Sequence, residues 1–383
     1  MIKTVDKNKC CGCYACNNIC PKGCISMKEN YEGFWYPVVS EEFCIKCGLC
    51  KSVCPAINDV KKDYKDKKYY ACKNKNVNTR IKSSSGGVFQ ALCNEVIKNN
   101  GVVFGAAFNE NFEVEHKYAD NLMQCESFRG SKYVQSKIGE TYKQAKVFLE
   151  KGRVVLFSGT QCQIKGLNLF LRKKYKNLVT VDVVCHGVPS PLVFKKYIIK
   201  NETNFKSKIS KVEFRDKTFG WKDFSLALKL KNGGKYINKF SENIYMKGFL
   251  SNLYLRTSCY KCTAKNFKSG SDISLADYWG VNKMYREFDD NKGVSLVLIN
   301  TKIGSDIFKK VYSELEVIET ELKYAIENNP CIVKPSEYNN KRKKFFKDLN
   351  EKDIELAIEA GLKIKFCEKI RNKILYEIEK IRR

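Results

Sequence analysis

The sequence predicts a chain of two unlike parts, a small cysteine-rich α+β domain followed by a larger mixed α/β domain with a helical tail. Cysteines are concentrated in residues 1–57, and apolar strand-like runs alternate with helical patterns in residues 70–300. Residues 301–383 are helical in pattern and rich in lysine. Residues 58–69 are charged and poor in apolar side chains, so they indicate a linker between the two domains.

The composition limits the class of protein. Apolar residues make up 43% of the 383 residues, which is enough to form buried cores. We expect a cytoplasmic protein, because the sequence contains no apolar run long enough to span a membrane and no signal peptide. The net charge is +28, but Lys outnumbers Arg by 59 to 11 and the lysines are scattered. Because nucleic-acid surfaces favour Arg, we expect no nucleic-acid partner.

Two copies of one cysteine motif occupy the first domain. Each copy matches the C-x2-C-x2-C-x3-C-P pattern of bacterial two-cluster ferredoxins, in which the fourth Cys binds the cluster of the other motif. The sequence therefore predicts two [4Fe–4S] clusters, the first bound by Cys10, Cys13, Cys16 and Cys54 and the second by Cys44, Cys47, Cys50 and Cys20. A pair of zinc ribbons is the weaker alternative, since it needs CxxC pairs. Cys11 and Cys24 lie outside the spacing and are not expected to be ligands.

Four further cysteines lie in the second domain, away from helix interiors. Cys162 and Cys185 each follow a buried apolar run, and Cys259 and Cys262 form a CxxC pair. In open α/β sheets, cofactors bind at the carboxyl ends of strands. From spacing alone, a third cluster, a zinc site and unrelated core thiols all remain open.

A set of short segments in the second domain carries a family resemblance. These are SSGGV from Ser84, RGSKY from Arg129, SGTQC from Ser158, CHGVP from Cys185, CYKC from Cys259 and SDISLADYWG from Ser271. With them, residues from about 70 to 300 resemble the beta subunit of coenzyme F420-reducing hydrogenases and dehydrogenases. The resemblance implies one FAD and a third [4Fe–4S] cluster, with ligands at Cys162, Cys185, Cys259 and Cys262. The commoner motif has Pro at the position of Gln161.

The resemblance also assigns a flavin site to two segments. Residues 83–87 open a helix, whose N-terminus favours an anion, although alone they suit an ordinary helix cap better. Residues 129–133 add a cation, a hydroxyl and an aromatic ring, and alone they suit a charged loop. We assign phosphate contacts to Ser85, Gly86, Gly87 and Lys132, and packing near the flavin to Tyr133.

Two residues near these segments have open roles. Trp279 is expected to pack over the cluster or the flavin. His186 adjoins Cys185 and is the candidate catalytic residue, with a hydrogen-bonded structural histidine as the alternative.

Together these sites predict a flavin-dependent iron–sulfur oxidoreductase. It would move electrons between a ferredoxin-type donor, three [4Fe–4S] clusters, FAD and a hydride-accepting small molecule such as a deazaflavin. The expected protein partner is a redox protein such as a ferredoxin, or a hydrogenase or dehydrogenase subunit, and the positive charge would steer an acidic partner. The alternative is a non-catalytic electron-relay subunit of a larger complex. A radical-SAM-like enzyme is disfavoured, because its CxxxCxxC motif is absent.

Overall fold

The structure is a computed structural model, which describes residue 2, residues 5–60 and residues 67–362. The middle of the predicted linker and the end of the predicted tail lie outside the described residues. Within the described ranges, no helix combines the length and apolar character needed to cross a membrane.

The N-terminal domain folds as two similar halves around a β-hairpin. The third cysteine of each motif lies in a short helix, α1 (Ala15–Ile19) or α2 (Leu49–Ser52). Tyr14 and Gly48 occupy equivalent positions before these helices, and both have a left-handed backbone, with φ of 63° and 80°. The hairpin strands β1 (Ile25–Glu29) and β2 (Trp35–Val39) pair antiparallel between the two motifs. The two halves match the fold predicted for the cysteine motifs.

The second domain is built on a mixed sheet of eight strands. Its order is β13-β3-β12-β11-β7-β6-β4-β5, in which β4, β6, β7 and β11 are parallel neighbours and the other pairs are antiparallel. A separate three-stranded antiparallel sheet has the order β10-β9-β8. The strands are β3 (Lys68–Asn74), β4 (Val102–Phe108), β5 (Val114–Ala119), β6 (Val155–Thr160), β7 (Leu178–Val183), β8 (Ile209–Asp216), β9 (Ser225–Leu230), β10 (Lys235–Lys239), β11 (Ile273–Asp277), β12 (Ser295–Ile299) and β13 (Leu315–Glu319).

Helices cover both faces of the large sheet and pack around the small one. They are α3 (Val77–Ile81), α4 (Val88–Lys98), α5 (Leu122–Cys125), α6 (Thr141–Glu150), α7 (Gln161–Leu171), α8 (Pro191–Phe205), α9 (Ile244–Leu250), α10 (Val281–Met284), α11 (Lys302–Val311), α12 (Leu322–Asn328), α13 (Arg342–Glu351) and α14 (Ile354–Leu362). The mixed α/β fold predicted from the sequence is confirmed.

The N-terminal domain shares a hydrophobic core with the second domain. Cys13, Tyr14 and Trp35 are buried in the same cluster as Phe157 of β6 and Ile164 of α7. Because α7 starts at the carboxyl end of β6, this packing brings the first cysteine motif next to the strand ends.

The prediction of a purely helical segment after residue 300 is wrong in one place. Leu315–Glu319 forms β13, the edge strand of the large sheet, with Leu315 opposite Asn74 and Glu319 opposite Tyr70. The preceding helix, α11, buries Phe308 and Val311 against this sheet. The described part of this segment therefore belongs to the core of the second domain.

Candidate functional site

The first predicted thiol set lines one cavity. Cys10, Cys13, Cys16 and Cys54 surround a space of about 250 Å³ next to the hairpin. Cys54 comes from the second motif, so the crossed arrangement expected of a two-cluster ferredoxin is present. Burial raises the pKa of Cys16 and of Cys54, which an iron–sulfur cluster would offset by binding the thiolates.

The second predicted set lines a smaller cavity nearer the surface. Cys20, Cys44, Cys47 and Cys50 surround about 20 Å³, and Cys47 is exposed. Cys24 also lines this cavity, with its Sγ atom 3.4 Å from that of Cys20. The hydrogen bond with Cys20 raises the pKa of Cys24 to about 11.

The third predicted set converges at the carboxyl ends of two parallel strands. Cys162 follows β6 and Cys185 follows β7, the neighbouring parallel strand. A short 3-10 helix, Thr257–Lys261, carries Cys259, and Cys262 comes directly after it. Burial and the negative charges of the other thiols raise the pKa of Cys185. Four partly buried thiols that repel one another as thiolates suit a cationic iron cluster.

Hydrogen bonds hold this third set in place. The Val188 N–H donates to Cys259 Sγ at 3.4 Å, and Thr160 Oγ1 lies 3.3 Å from Cys162 Sγ. Gln161 occupies the first position of α7, where Pro is also favoured, and Thr160 and Gln163 form a capping box there. The departure from the commoner motif at Gln161 therefore leaves the turn intact. Within the described residues, no group of His, Cys, Asp or Glu is arranged to hold a single metal ion.

Cys11 lies between the first and third thiol sets. Its thiol is within hydrogen-bonding reach of both Cys13 and Cys162, and the contact with Cys13 contributes most to raising the pKa of Cys11. Sequence reasoning left Cys11 aside, because the ligand spacing does not include it.

A cavity of about 300 Å³ opens beside the third set and is lined in part by Cys185. This volume is at the lower end of the range typical of small-molecule sites. Both predicted flavin segments contribute to its wall, and they touch each other. The Ser131 N–H donates to Ser84 Oγ at 2.7 Å, and the two serine hydroxyls are 2.8 Å apart. Among the residues assigned to the flavin, Ser85, Gly87, Lys132 and Tyr133 line the cavity.

One side of this cavity suits an anion. Gly87, with φ of 85°, caps the N-terminus of α4, where free N–H groups and the helix dipole favour negative charge. Lys132 Nζ donates to the carbonyl oxygens of Ser127 and Arg129 at 2.7 and 3.1 Å. Desolvation lowers the pKa of Lys132 to about 7, a change that a phosphate neighbour would reverse. The residues present therefore fit a pyrophosphate.

Gly86 and Trp279 differ from the sequence expectation. Gly86 packs between β3 and β12, where its N–H donates to Ser295 Oγ at 2.9 Å and a Cβ would collide with the Cys72 carbonyl. Trp279 stacks on Trp221, with ring centroids 4.7 Å apart, on the side of the small sheet. The wall of the cavity includes neither of them. Close backbone packing explains the glycine, and aromatic stacking explains the tryptophan.

The two histidines of the chain both line this cavity. His186 Nε2 lies 2.6 Å from Asn252 Oδ1, and its Nδ1 lies 3.6 Å from Cys331 Sγ, an arrangement that matches the structural alternative. His116 was missed, although it takes an inward position on β5. Its Nε2 donates to the Ser158 carbonyl at 3.0 Å, and its buried Nδ1 has no hydrogen-bond partner in the described part of the chain. Desolvation lowers the pKa of His116 to about 4, so the ring stays neutral.

Comparison with known families divides the chain as the motifs do. Residues 9–58 match the 4Fe-4S dicluster domain. Residues 152–323 match the family defined by the C terminus of the coenzyme F420 hydrogenase/dehydrogenase beta subunit. Residues 152–323 belong to this family of beta subunits, and a dicluster domain precedes them in the chain. The predicted resemblance and the predicted iron–sulfur binding are thus confirmed.

Relatives of the beta-subunit domain are subunits or parts of redox enzymes. One subunit of the F(420)H(2) dehydrogenase of Methanosarcina mazei is 22% identical over 334 residues, covering 83% of this chain and 86% of that protein. The coenzyme F420-dependent sulfite reductase of Methanocaldococcus jannaschii is 26% identical over 201 residues, which are 51% of this chain and 30% of that protein. A chain of the F420-reducing [NiFe] hydrogenase complex from Methanosarcina barkeri aligns with a TM-score of 0.45 and 17% identity, over 79% of this chain and 92% of that one. The protein is an iron–sulfur electron-transfer protein of the oxidoreductase class.

Proposed function

We propose that the protein transfers electrons between a ferredoxin-type carrier and a hydride-accepting organic substrate, using three [4Fe–4S] clusters and FAD. The observation that carries this proposal is that Cys185 belongs both to the third thiol set and to the wall of the 300 Å³ cavity. When bound, the clusters would exchange single electrons and FAD would couple them to hydride transfer. The names of the relatives support a deazaflavin such as coenzyme F420 as the substrate.

The three thiol sets form a continuous series through the protein. Cys50 of the second set lies close enough for its charge to raise the pKa of Cys16 and Cys54 in the first set. The thiol of Cys11 then lies in contact with both Cys13 of the first set and Cys162 of the third. This order supports electron movement between the exposed second set and the cavity.

Several residues of the cavity wall would bind and orient FAD. Ser85, Gly87 and Lys132 would contact the pyrophosphate. Tyr133 would pack against the ring system, and its orientation is fixed by a hydrogen bond from Arg215 Nη1 at 3.1 Å. Arg215 is in turn held by Asp277, with two contacts of 2.7 and 3.0 Å.

The surface around the second set suits an acidic redox protein. Phe43 and Ile45, on either side of Cys44, are 60% and 58% exposed and offer an apolar surface beside the thiols. Lys22 and Lys46 line the same small cavity as the thiols of the second set. Apolar contact surrounded by lysines matches a carrier with acidic side chains around its own cluster.

Metal and flavin content test this function. Protein purified without oxygen should contain about twelve Fe and twelve sulfide per chain, four of each for every cluster, and release about one FAD on acid denaturation. Cys259→Ser should lose about four Fe, because a cluster normally needs four thiolate ligands. Cys93→Ser is the matched control, since Cys93 is buried next to Cys125 and should leave the iron content unchanged.

Each part of the proposal can fail separately. A stable content of about eight Fe per chain would show that the third cluster is absent. Iron-replete protein that neither contains nor binds flavin would exclude hydride transfer and leave an electron-relay subunit.

A further inference from the structure

A buried guanidinium group lies between the first and third thiol sets. Arg256 is fully buried, at 0% exposure. Its Nε donates to the Cys10 carbonyl at 2.7 Å and its Nη2 to the Trp35 carbonyl at 2.9 Å. Its Nη1 donates to Gln135 Oε1 at 3.0 Å, and Nη2 also lies 3.7 Å from Cys10 Sγ. Arg256 therefore fixes the dicluster domain against the beta-subunit domain with three contacts, and the fourth, to Gln135, lies within the beta-subunit domain.

No carboxylate offsets this buried charge in the described part of the chain. The hydrogen-bonded oxygens of Cys10, Trp35 and Gln135 are neutral, and Arg256 has no Asp or Glu within ion-pair distance among the described residues. The ring of Tyr36 lies 4.2 Å from the guanidinium carbon. Burying a cation is costly unless an anion accompanies it, so the site needs a negative partner.

The groups that face Arg256 and that a bound cluster would turn into thiolates belong to the first and third sets, with the thiol of Cys11 between them. Cys10 and Cys11 approach it from the dicluster domain. Cys259 and Cys162 approach it from the beta-subunit domain. Burial raises the pKa of Cys259, the contact with Cys11 raises the pKa of Cys162, and the charge of Arg256 opposes both shifts. A [4Fe–4S] cluster with four thiolates carries a net negative charge, and net charge and hydrogen bonds to sulfur set its reduction potential. The two cluster sites nearest Arg256 would therefore supply the missing anions.

We propose that Arg256 is a positioning residue that stabilises the reduced, more negative states of the first and third cluster sites relative to the second. This proposal rests on the proposed function, because it assumes that these sites hold clusters. The reason is electrostatic, since a fixed cation in a water-excluded interior interacts strongly with a charge that increases on reduction. The effect would draw electrons inward from the exposed Cys47 site toward the cavity.

Reduction potentials measured by EPR-monitored titration test this role in the intact protein. Wild type should show three one-electron cluster steps. In Arg256→Gln, two of them should become about ten-fold harder to reduce, equivalent to about 59 mV each, while the third step stays in place. Arg256→Lys should restore most of the shift, because it retains the charge. The double variant Arg256→Gln/Cys259→Ser should lack the third cluster. Of its two remaining steps, only the step of the first cluster should be shifted.

Two further variants complete the experiment. Arg153→Gln is the matched control, because Arg153 donates to the carbonyls of Asn100 and Gly101, away from the thiol sets, and its loss should move no step. Gln135→Glu leaves Arg256 in place but puts a carboxylate at Nη1, and should lower the same two potentials. This variant decides the question if Arg256→Gln does not load iron.

Unchanged potentials in iron-replete Arg256→Gln and Gln135→Glu would overturn the proposal, and so would an equal shift of all three steps. Failure of the proposed function gives a different result. Wild type would then show two steps and about eight Fe. If the step of the first cluster also stayed in place in Arg256→Gln, the role of Arg256 at the first site would be overturned.

Discussion

At the scale of single residues, Lys132 is a cavity group whose charge changes near neutral pH. Desolvation lowers its pKa to about 7, and its positive charge contributes to the low pKa of His116. A bound pyrophosphate would raise the pKa of Lys132 again, so FAD binding would take up a proton. The protonated lysine would bind the anion below this pKa, and it loses its charge above it.

FAD affinity should therefore fall as pH rises through 7. Between about pH 6 and pH 8.5, the dissociation constant of flavin-depleted protein should increase about ten-fold, as measured by fluorescence titration. Lys132→Ala should bind more weakly and show a flat profile. If the dissociation constant of Lys132→Ala still rose with pH, the proton taken up on FAD binding would belong to another group.

The residues that sequence reasoning missed depend on partners far away in the chain. Gln135 Nε2 donates to the Cys11 carbonyl across 124 positions, and Arg256 contacts Cys10 across 246. The ligand cysteines could be predicted because fixed spacing defines each motif locally. Cys11 and Arg256 have no local pattern, because their environment exists only once the two domains pack together.

At the scale of elements, buried strands were predictable and one edge strand was not. β6 starts with three buried apolar residues and β7 contains three more, at the centre of the sheet. β13, with the sequence LEVIE, buries only Leu315 and lies between helices, so its pattern also suits a helix. Pairing with β3 makes it a strand, and that pairing spans more than 240 positions.

The hairpin of the dicluster domain is held by a buried ion pair from α13. Arg342 contacts the Glu32 carboxylate at 2.5 and 2.7 Å, and the side chains are 5% and 7% exposed. Arg342→Leu should destabilise the protein by about 3–5 kcal/mol, because it leaves a buried carboxylate unpaired. Thermal unfolding of the iron-loaded protein would measure this as a lower midpoint.

A surface pair gives the control for this prediction. Lys302 and Asp306 form an exposed i,i+4 pair on α11, and Lys302→Ala should cost less than about 1 kcal/mol. Adding Glu32→Gln to Arg342→Leu should recover part of the loss, because the unpaired charge is gone. Equal midpoints for Arg342→Leu and Lys302→Ala would show that the buried pair does not stabilise the fold.

At the scale of the whole molecule, the second thiol set, with its exposed Cys47, lies at one end of the series and the cavity at the other. If electrons enter at the Cys47 end, reduction by an acidic ferredoxin should slow as salt screens the lysines. Lys46→Glu should slow this reduction by about ten-fold at low ionic strength in stopped-flow measurements. Lys302→Glu, in the beta-subunit domain, is the matched control, and an equal effect there would place the docking surface elsewhere.

The long-range contacts of the dicluster domain also determine when it can complete its folding during translation. Cys10 leaves the ribosome 246 residues before Arg256, and Glu32 precedes Arg342 by 310. At about 5–20 residues per second, translation needs roughly 12–50 s to supply Arg256 after Cys10. The first cysteine motif therefore remains uncovered on the nascent chain for this interval. Iron can therefore reach this motif before the dicluster domain packs against the second domain. The contacts of Arg256 and Arg342, which form later, then bury the iron-loaded site.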